Sequence, residues 1–214
     1  MTFLEICIEV YGALGLQGTF NNVNASNDTR VIAQSVKEAW VNIQNYRLNW
    51  KFLQDEVILN LDPSRTNYDL EFIFLSTDNN FGHWDEKNFI YDYKTLREVS
   101  YNRWKRTEVT ATGEPNDFTI KPNDNSVIFT PLDNTYEVSL AYFKQPQILI
   151  DNNDVPILPQ AYHTLIMYRG LVNAAVFFSS SEMFQFASIR ADEMMGQLMR
   201  EQLPHKKIKL NPLV

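Results

Sequence analysis

The chain has 214 residues, 44% of them hydrophobic and 21% charged, which is typical of a folded protein with its own core. A formal net charge of −7 excludes a protein that wraps nucleic acid over its whole surface, although a local basic patch is compatible with it. The lone Cys7 excludes an intrachain disulfide, and the longest apolar run, 174–178, is too short to span a bilayer.

The chain opens with a predicted helix over residues 2–15. Thr2 and Glu5 have the spacing of a capping box, and Gly15 suits the position just after the helix. The polar, Asn-rich segment 17–26 is expected to be a loop. No basic secretory signal precedes the helix, so we expect synthesis in a reducing cytoplasm.

A second, longer helix is predicted over residues 27–47, with Asn27 or Asp28 placed to cap its first turn. Its apolar side chains recur every three or four residues and therefore share one face. This face comprises Ile32, Val36, Ala39, Trp40, Ile43 and Tyr46. The opposite side is formed mostly by Arg30, Gln34, Lys37 and Gln44. Two helices joined by a short connection indicate a helical hairpin.

From about residue 50 to 150 the sequence has the composition of β-strands. The last three expected strands are separated by turn-forming clusters, which predicts that these three form an antiparallel meander. The expected strands are Val57–Leu61, Leu70–Leu75, Asn88–Tyr91, Phe118–Lys121, Ser126–Thr130 and Tyr136–Phe143. We also expect a loop over Asp78–Asp85 and a short helix over Lys94–Trp104.

Helix returns in two segments, 159–178 and 180–202. The first is apolar on most sides, which predicts a deeply buried helix. The second is expected to begin with a capping box of Ser179 and Glu182, and Pro204 ends it. Its apolar pattern runs through Met183, Phe186, Ala187, Arg190, Met194 and Leu198.

These elements predict an α+β fold, in which the N- and C-terminal helices form a bundle around a β-rich, antiparallel insertion. Residues 1–204 are expected to form a single domain, followed by an extended C-terminal tail over 205–214.

Metal and nucleotide sites are not indicated. His83, His163 and His205 are scattered along the chain, and no glycine-rich phosphate loop occurs. The acidic run Asp151–Asp154 lacks the glycine and glutamate positions of an EF-hand loop. We therefore expect no cofactor and no metal.

Two residue pairs have side-chain types that occur in catalytic sites. Asp85 and Glu86 are carboxylates beside Trp84, but adjacent positions usually diverge instead of flanking a glycosidic bond. Cys7 and His163 are a conceivable nucleophile and base, but Cys7 has no basic neighbour in sequence to lower its pKa. We expect no catalytic residues and no enzymatic activity.

Two basic stretches stand out against the acidic whole. Arg97, Arg103, Lys105 and Arg106 lie around two aromatic residues, a pattern that fits either DNA contact or contact with another subunit. The tail combines Lys206, Lys207 and Lys209 with the apolar Ile208, Leu210, Leu213 and Val214. A short basic and apolar segment favours docking on a partner, and the alternative is a solvated chain end.

The order of several segments resembles that of head–tail adaptor (connector) proteins of short-tailed bacteriophages, over nearly the whole chain. The segments are Thr2–Cys7, Val36–Trp50, Phe81–Asp85, Gly113–Phe118, Tyr142–Pro146 and Pro156–Arg169. The resemblance implies a helical bundle with a β-rich insertion, without a cofactor and without catalysis.

The resemblance also implies a structural virion protein of the neck or tail, made in the host cytoplasm. Such a protein forms a ring, with twelve copies expected, below the portal protein. The ring extends the channel for double-stranded DNA and docks tail or nozzle proteins, while the C-terminal tail reaches the portal; no membrane is involved. A tail-tube ring protein and an adaptor with peptidoglycan-hydrolase activity remain as alternatives.

Overall fold

The computed structural model describes residues 1–24, 28–74, 80–106 and 112–203. It confirms the α+β fold class. The chain divides into two compact units, a helical unit (Met1–Leu53 and Pro146–Val214) and a strand unit (Gln54–Gln145). The predicted cap Asn27, the stop at Pro204 and the tail 205–214 lie outside the described residues.

In chain order the helices are α1 (Phe3–Ala13), α2 (Asp28–Asn45), α3 (Leu70–Phe74), α4 (Tyr101–Trp104), α5 (His163–Phe177) and α6 (Ser181–Gln202). The strands are β1 (Gln54–Leu61), β2 (Asn67–Tyr68), β3 (Phe81–Tyr91), β4 (Lys94–Thr95), β5 (Arg97–Glu98), β6 (Asp117–Ile120), β7 (Val127–Phe129) and β8 (Tyr136–Lys144). Single 3₁₀ turns precede β1 and α5, at Lys51–Leu53 and Gln160–Tyr162.

The capping box of α1 is confirmed. The Thr2 hydroxyl accepts from the Glu5 N–H at 3.2 Å, and the Glu5 carboxylate accepts from the Thr2 N–H at 2.8 Å. At the other end, Gly15 adopts φ +68°, the left-handed conformation that glycine allows just after a helix. Local sequence therefore sets both ends of α1.

The predicted core face of α2 is confirmed except at its last position. Its members from Ile32 to Ile43 are buried, but Tyr46 lies beyond the helix and is half exposed. The expectation that Gln44 lies opposite the apolar face is wrong. Its side-chain amide donates to the Gln147 carbonyl at 2.9 Å, and its side-chain oxygen accepts from the Gln147 N–H at 2.7 Å. Gln44 is buried because it satisfies a backbone segment far away in sequence.

Helix α5 packs against α1, α2 and α6. A Cβ atom at Gly170 would lie 2.8 Å from Cγ2 of Val36, so this glycine permits the close approach of α5 to α2. Helix α6 buries a stripe of four residues, Ala187, Ala191, Met195 and Leu198.

The predicted start and face of α6 are partly wrong. Phe186 and Arg190 are exposed, because the buried stripe follows the small residues at 187 and 191. The expected capping box is also wrong. Ser180 is the N-cap without a side-chain hydrogen bond, and Ser179 adopts φ +55°.

The strand unit contains two four-stranded sheets, with strand orders β1-β8-β3-β4 and β2-β7-β6-β5. All pairs are antiparallel except β5 with β6. The predicted meander is confirmed for β6 and β7, which pair antiparallel, and is wrong for β8. Strand β8 lies between β1 and β3 in the other sheet, because its nine residues find more backbone partners on these strands of eight and eleven residues than on the three residues of β7.

Three further local predictions in this unit are wrong. Residues 70–74 form a helix, because the Asp69 carboxylate caps it by accepting from the Phe72 N–H at 2.8 Å. Residues 81–85 belong to β3 instead of a loop, since pairing with β8 and the burial of Trp84 stabilise an extended chain. Residues 94–104 form two short strands and only one helical turn. Leu75, Asp78 and Asn79 lie outside the described residues.

Candidate functional site

Five large apolar side chains are exposed on the hairpin formed by the end of α5 and the start of α6. The α5–α6 patch comprises Val176, Phe177, Phe184, Phe186 and Ile189, which are between 40% and 67% exposed. The ring centroids of Phe177 and Phe178 lie 5.1 Å apart, and those of Phe186 and Tyr168 lie 6.0 Å apart. Exposed apolar side chains of this size near one turn make the hairpin a candidate protein interaction surface.

A second apolar surface of the helical unit is the 148–157 loop, in which Ile148, Ile150, Val155 and Ile157 are exposed. Its conformation is fixed by side chains. The Asp154 carboxylate accepts from the Ile150 N–H at 2.6 Å, and Gln147 bonds to the Val155 carbonyl at 2.9 Å and to the Ile157 N–H at 3.0 Å. The loop therefore presents its isoleucines in a preformed arrangement.

The predicted basic cluster lies in the strand unit, on β5 and around α4. Arg97 is not a free cation, because its Nε and Nη2 atoms donate to Asp117 at 2.7 and 2.6 Å, and this pairing raises the pKa of Arg97. Lys105 places its Nζ 4.6 Å from the centroid of Tyr101. Arg103, Lys105 and Arg106 are exposed, so the basic surface is centred on α4 and not on Arg97.

Comparison with protein families identifies the chain. The family model described as SU10 adaptor protein matches residues 1–207. The chain belongs to the SU10 adaptor protein family.

Membership confirms the resemblance to bacteriophage head–tail adaptors and gives the protein a structural adaptor role in the virion. A comparison with curated proteins finds no match.

The adaptor does not bring Cys7 and His163 together as a catalytic pair. Cys7 is buried, and burial raises the pKa of its thiol to about 12, so a thiolate is disfavoured. His163 has both ring nitrogens engaged. Nδ1 lies 2.8 Å from the Met1 amine, and Nε2 lies 2.9 Å from the Leu158 carbonyl. Both residues serve the packing of the helical unit.

The carboxylates of Asp85 and Glu86 have different surroundings. Asp85 accepts from the side-chain amides of Gln54 and Asn88, at 2.8 and 2.7 Å. Burial, and then the nearby carboxylates of Glu98 and Asp85, raise the pKa of Glu86. The Asp85 contacts hold strands β1 and β3 in place, which is a structural use of this carboxylate.

The acidic run Asp151–Asp154 is also structural. Asp154 accepts from the Asp151 N–H at 2.8 Å, and the Asn152 side chain accepts from the Val23 N–H at 3.0 Å. Its backbone carbonyls receive the first N–H groups of α1, from Phe3 at 2.7 Å and Leu4 at 3.1 Å. The run thus holds the start of α1.

Burial lowers the pKa of His83, whose ring stacks on Phe143 with 4.9 Å between centroids. His205 lies outside the described residues. Within the parts of the chain that the structure describes, no group of three or more His, Cys, Asp or Glu side chains is placed to hold a metal ion. In those same parts no helix combines the length and apolarity that a membrane span requires.

The apolar composition of α5 predicts a deeply buried helix and gives no sign of the exposed Val176 and Phe177 in the α5–α6 patch. One signal was available in α6. Phe186 and Ile189 lie on the side of the helix opposite the small Ala187 and Ala191, and large apolar residues on an otherwise polar face indicate a binding surface.

Proposed function

We propose that this adaptor assembles into a ring, with twelve copies expected, between the portal and the tail. The proposal rests on the presence of two exposed apolar surfaces in the helical unit, which are the α5–α6 patch and the 148–157 loop. A ring needs two different surfaces on each copy, because every subunit contacts one neighbour with each. The ring would extend the channel for double-stranded DNA and dock tail or nozzle proteins.

Charge substitution tests the ring contact. Ile189→Asp places a carboxylate in the patch, and we expect folded monomers by analytical ultracentrifugation where the native chain forms rings. Ile58→Asp is the matched control, because Ile58 in β1 is equally exposed at 61% but lies in the strand unit. If Ile189→Asp forms rings as well as the native chain does, the α5–α6 patch is not part of the ring interface.

The segment 205–214 is proposed to dock on the portal protein through Lys206, Lys207, Ile208, Lys209, Leu210, Leu213 and Val214. It carries three lysines and no acidic residue on a chain of net charge −7, so it is suited to an acidic partner surface. Deletion of 205–214 should abolish co-sedimentation with purified portal rings in moderate salt. A variant with the three lysines changed to glutamine keeps the apolar residues. Its loss of affinity for the portal rings measures the electrostatic contribution to binding.

The basic residues Arg97, Arg103, Lys105 and Arg106 are proposed to contact DNA or a neighbouring subunit. The ion pair with Asp117 reduces the charge that Arg97 can offer. We therefore expect Arg106→Ala to flatten the salt dependence of binding to duplex DNA, and Arg97→Ala to change it less. Unchanged salt dependence in both variants would favour the subunit contact.

Residues 1–204 are proposed to fold as one domain, and the protein is proposed to be made in the host cytoplasm. We further propose that the adaptor has no enzymatic activity. A peptidoglycan-release assay on the purified protein should give no product. Release that disappears in Asp85→Ala or Glu86→Ala would establish the hydrolase alternative. Electron microscopy of the virion with a labelled chain separates an adaptor ring next to the portal from a tail-tube ring.

A further inference from the structure

The tip of the β3–β4 hairpin has an unusual residue in a strained conformation. Asp92 and Tyr93 connect the paired residues Tyr91 and Lys94, and their φ angles are +45° and +62°. A two-residue hairpin loop with two positive φ angles strongly favours Asn-Gly or Asp-Gly. Asp92 fits this preference, whereas a tyrosine in the second position carries the steric cost of a Cβ in the left-handed region.

Among the described residues, Tyr93 has no packing partner that offsets the strain. Its side chain is 100% exposed, so it contributes no packing to the strand unit. The fold would be served better by glycine at this position. A strained residue that contributes nothing to its own fold is a pointer to a functional role.

The surroundings of the tip are aromatic and acidic. The rings of Tyr91 and Tyr136 meet edge to face with 5.4 Å between centroids, and the Tyr136 hydroxyl donates to Asp133. Burial, and then the carboxylates of Glu114, Asp92 and Asp133, raise the pKa of Tyr91. Asp92 belongs to the tip, Asp133 bonds to Tyr136, and Lys94 is the cation next to the tip.

The charges and aromatic rings at the hairpin tip favour one class of partner over another. The carboxylates at and beside the tip repel the phosphates of DNA, whereas lysine and arginine side chains are attracted both by carboxylates and by the faces of tyrosine rings. An exposed tyrosine is also among the residues that most often dominate the binding energy of protein interfaces.

We propose that the β3–β4 hairpin tip, with Tyr93 as its anchor, docks a lysine- or arginine-bearing surface of the adjoining tail protein. The inference rests on the proposed function, in which tail or nozzle proteins bind the adaptor ring. It assigns that contact to the strand unit and gives its chemistry.

Tyr93→Gly tests the proposal without threatening the fold, because glycine relieves the strain. The probes are the purified tail proteins of the same phage, each mixed with preassembled adaptor–portal rings in low and high salt. We expect the Kd of one tail protein to rise at least about tenfold, as for the loss of an interface anchor. The melting temperature should rise by about 2–4 °C, and binding to the portal should not change.

Asn125→Gly is the matched control. Asn125 is another exposed non-glycine residue with positive φ, +56°, in the turn between β6 and β7. Its backbone carbonyl accepts from the Trp84 indole at 2.8 Å and its N–H donates to the Lys121 carbonyl at 3.0 Å, and glycine keeps both bonds. This variant should raise the melting temperature slightly and leave the Kd for the tail protein unchanged.

The outcomes separate this inference from the proposed function. If the native ring binds a tail protein and Tyr93→Gly binds it equally well, the hairpin proposal is overturned and the proposed function stands. If no tail protein binds the native ring, the proposed function fails and the hairpin proposal fails with it. If Tyr93→Gly loses affinity for a short DNA duplex instead, the acidic tip is a nucleic-acid contact and the protein partner is wrong.

Discussion

The two units build their cores from different side chains. In the helical unit, small residues such as Gly170, Ala174, Ala187 and Ala191 are buried or bring helices close together. The strand unit is filled by aromatic rings, and Phe89 has its centroid 4.5 Å from Phe118 and 5.4 Å from Trp84. The helical unit should therefore be more sensitive to added volume, and the strand unit to lost rings.

The largest expected effect concerns an exception to this contrast, because the helical core also contains the buried Trp40 and Trp50. Trp40 is fully buried and stacks on Phe52 at 6.1 Å. Trp40→Ala should lower the free energy of unfolding by about 3–5 kcal/mol in urea titrations. Tyr46→Ala, at the exposed end of the same face, is the control and should change it by less than about 0.5 kcal/mol.

Adding one methyl group tests the small-residue packing directly. Gly170→Ala would press its Cβ against Val36 and should destabilise the protein by about 1–3 kcal/mol. The double variant with Val36→Ala removes the closest methyl, so its loss should be smaller than the sum of the two single losses. Strict additivity would show that the close approach of α5 to α2 does not limit stability.

Removing a ring without removing much volume tests the other side of the contrast. Phe118→Leu keeps an apolar side chain but loses the ring contacts with Phe89 and Phe129. We expect the free energy of unfolding to fall by about 0.5–1.5 kcal/mol. The reference is Leu165→Met in the helical core, which changes the shape of a buried side chain without removing a ring. It should lower the free energy of unfolding by less than Phe118→Leu does.

The smallest expected effect depends on pH. Hydrogen bonds from Lys121 and then Ser126 lower the pKa of Asp124 from 3.8 to about 2. Because the folded pKa is the lower one, this stabilisation is present above pH 3.8 and disappears as the pH falls toward 2. The melting temperature of the native chain should therefore fall more steeply over this window than that of Asp124→Asn. Parallel curves would show that the exposed carboxylate contributes nothing measurable.

The contrast between the units also explains how far the sequence predicts the structure. The bounds of α1 and the buried positions of α2 follow from capping and periodicity, which are local signals. In the strand unit, residues 70–74 have an apolar composition that suits either a strand or a helix, and the Asp69 cap decides between them. The extended form of 81–85 depends on β8, about 60 residues away, and no local pattern contains that information.

The candidate site was predictable only in part. Arg97 is paired with Asp117, and Gln44 is buried by Gln147, because the fold supplies partners that are distant in sequence. The exposure of Val176 and Phe177 depends on where α5 ends and what packs on it, which composition does not reveal. The strain at Tyr93 appears only in its backbone angle.

The pairing of β1 with β8 affects how easily the strand unit can be replaced in evolution. Gln54 and Phe143 face each other in the register of the two strands, so the chain enters and leaves the strand unit at neighbouring positions. The Cα atoms of such paired residues lie only about 5 Å apart. The β1–β8 pairing itself therefore offsets the entropy cost of bringing the two ends of the strand unit together. The helical scaffold is therefore interrupted by no more than a short gap. We therefore expect that replacing residues 54–145 by another module with paired ends leaves the bundle sequence able to fold.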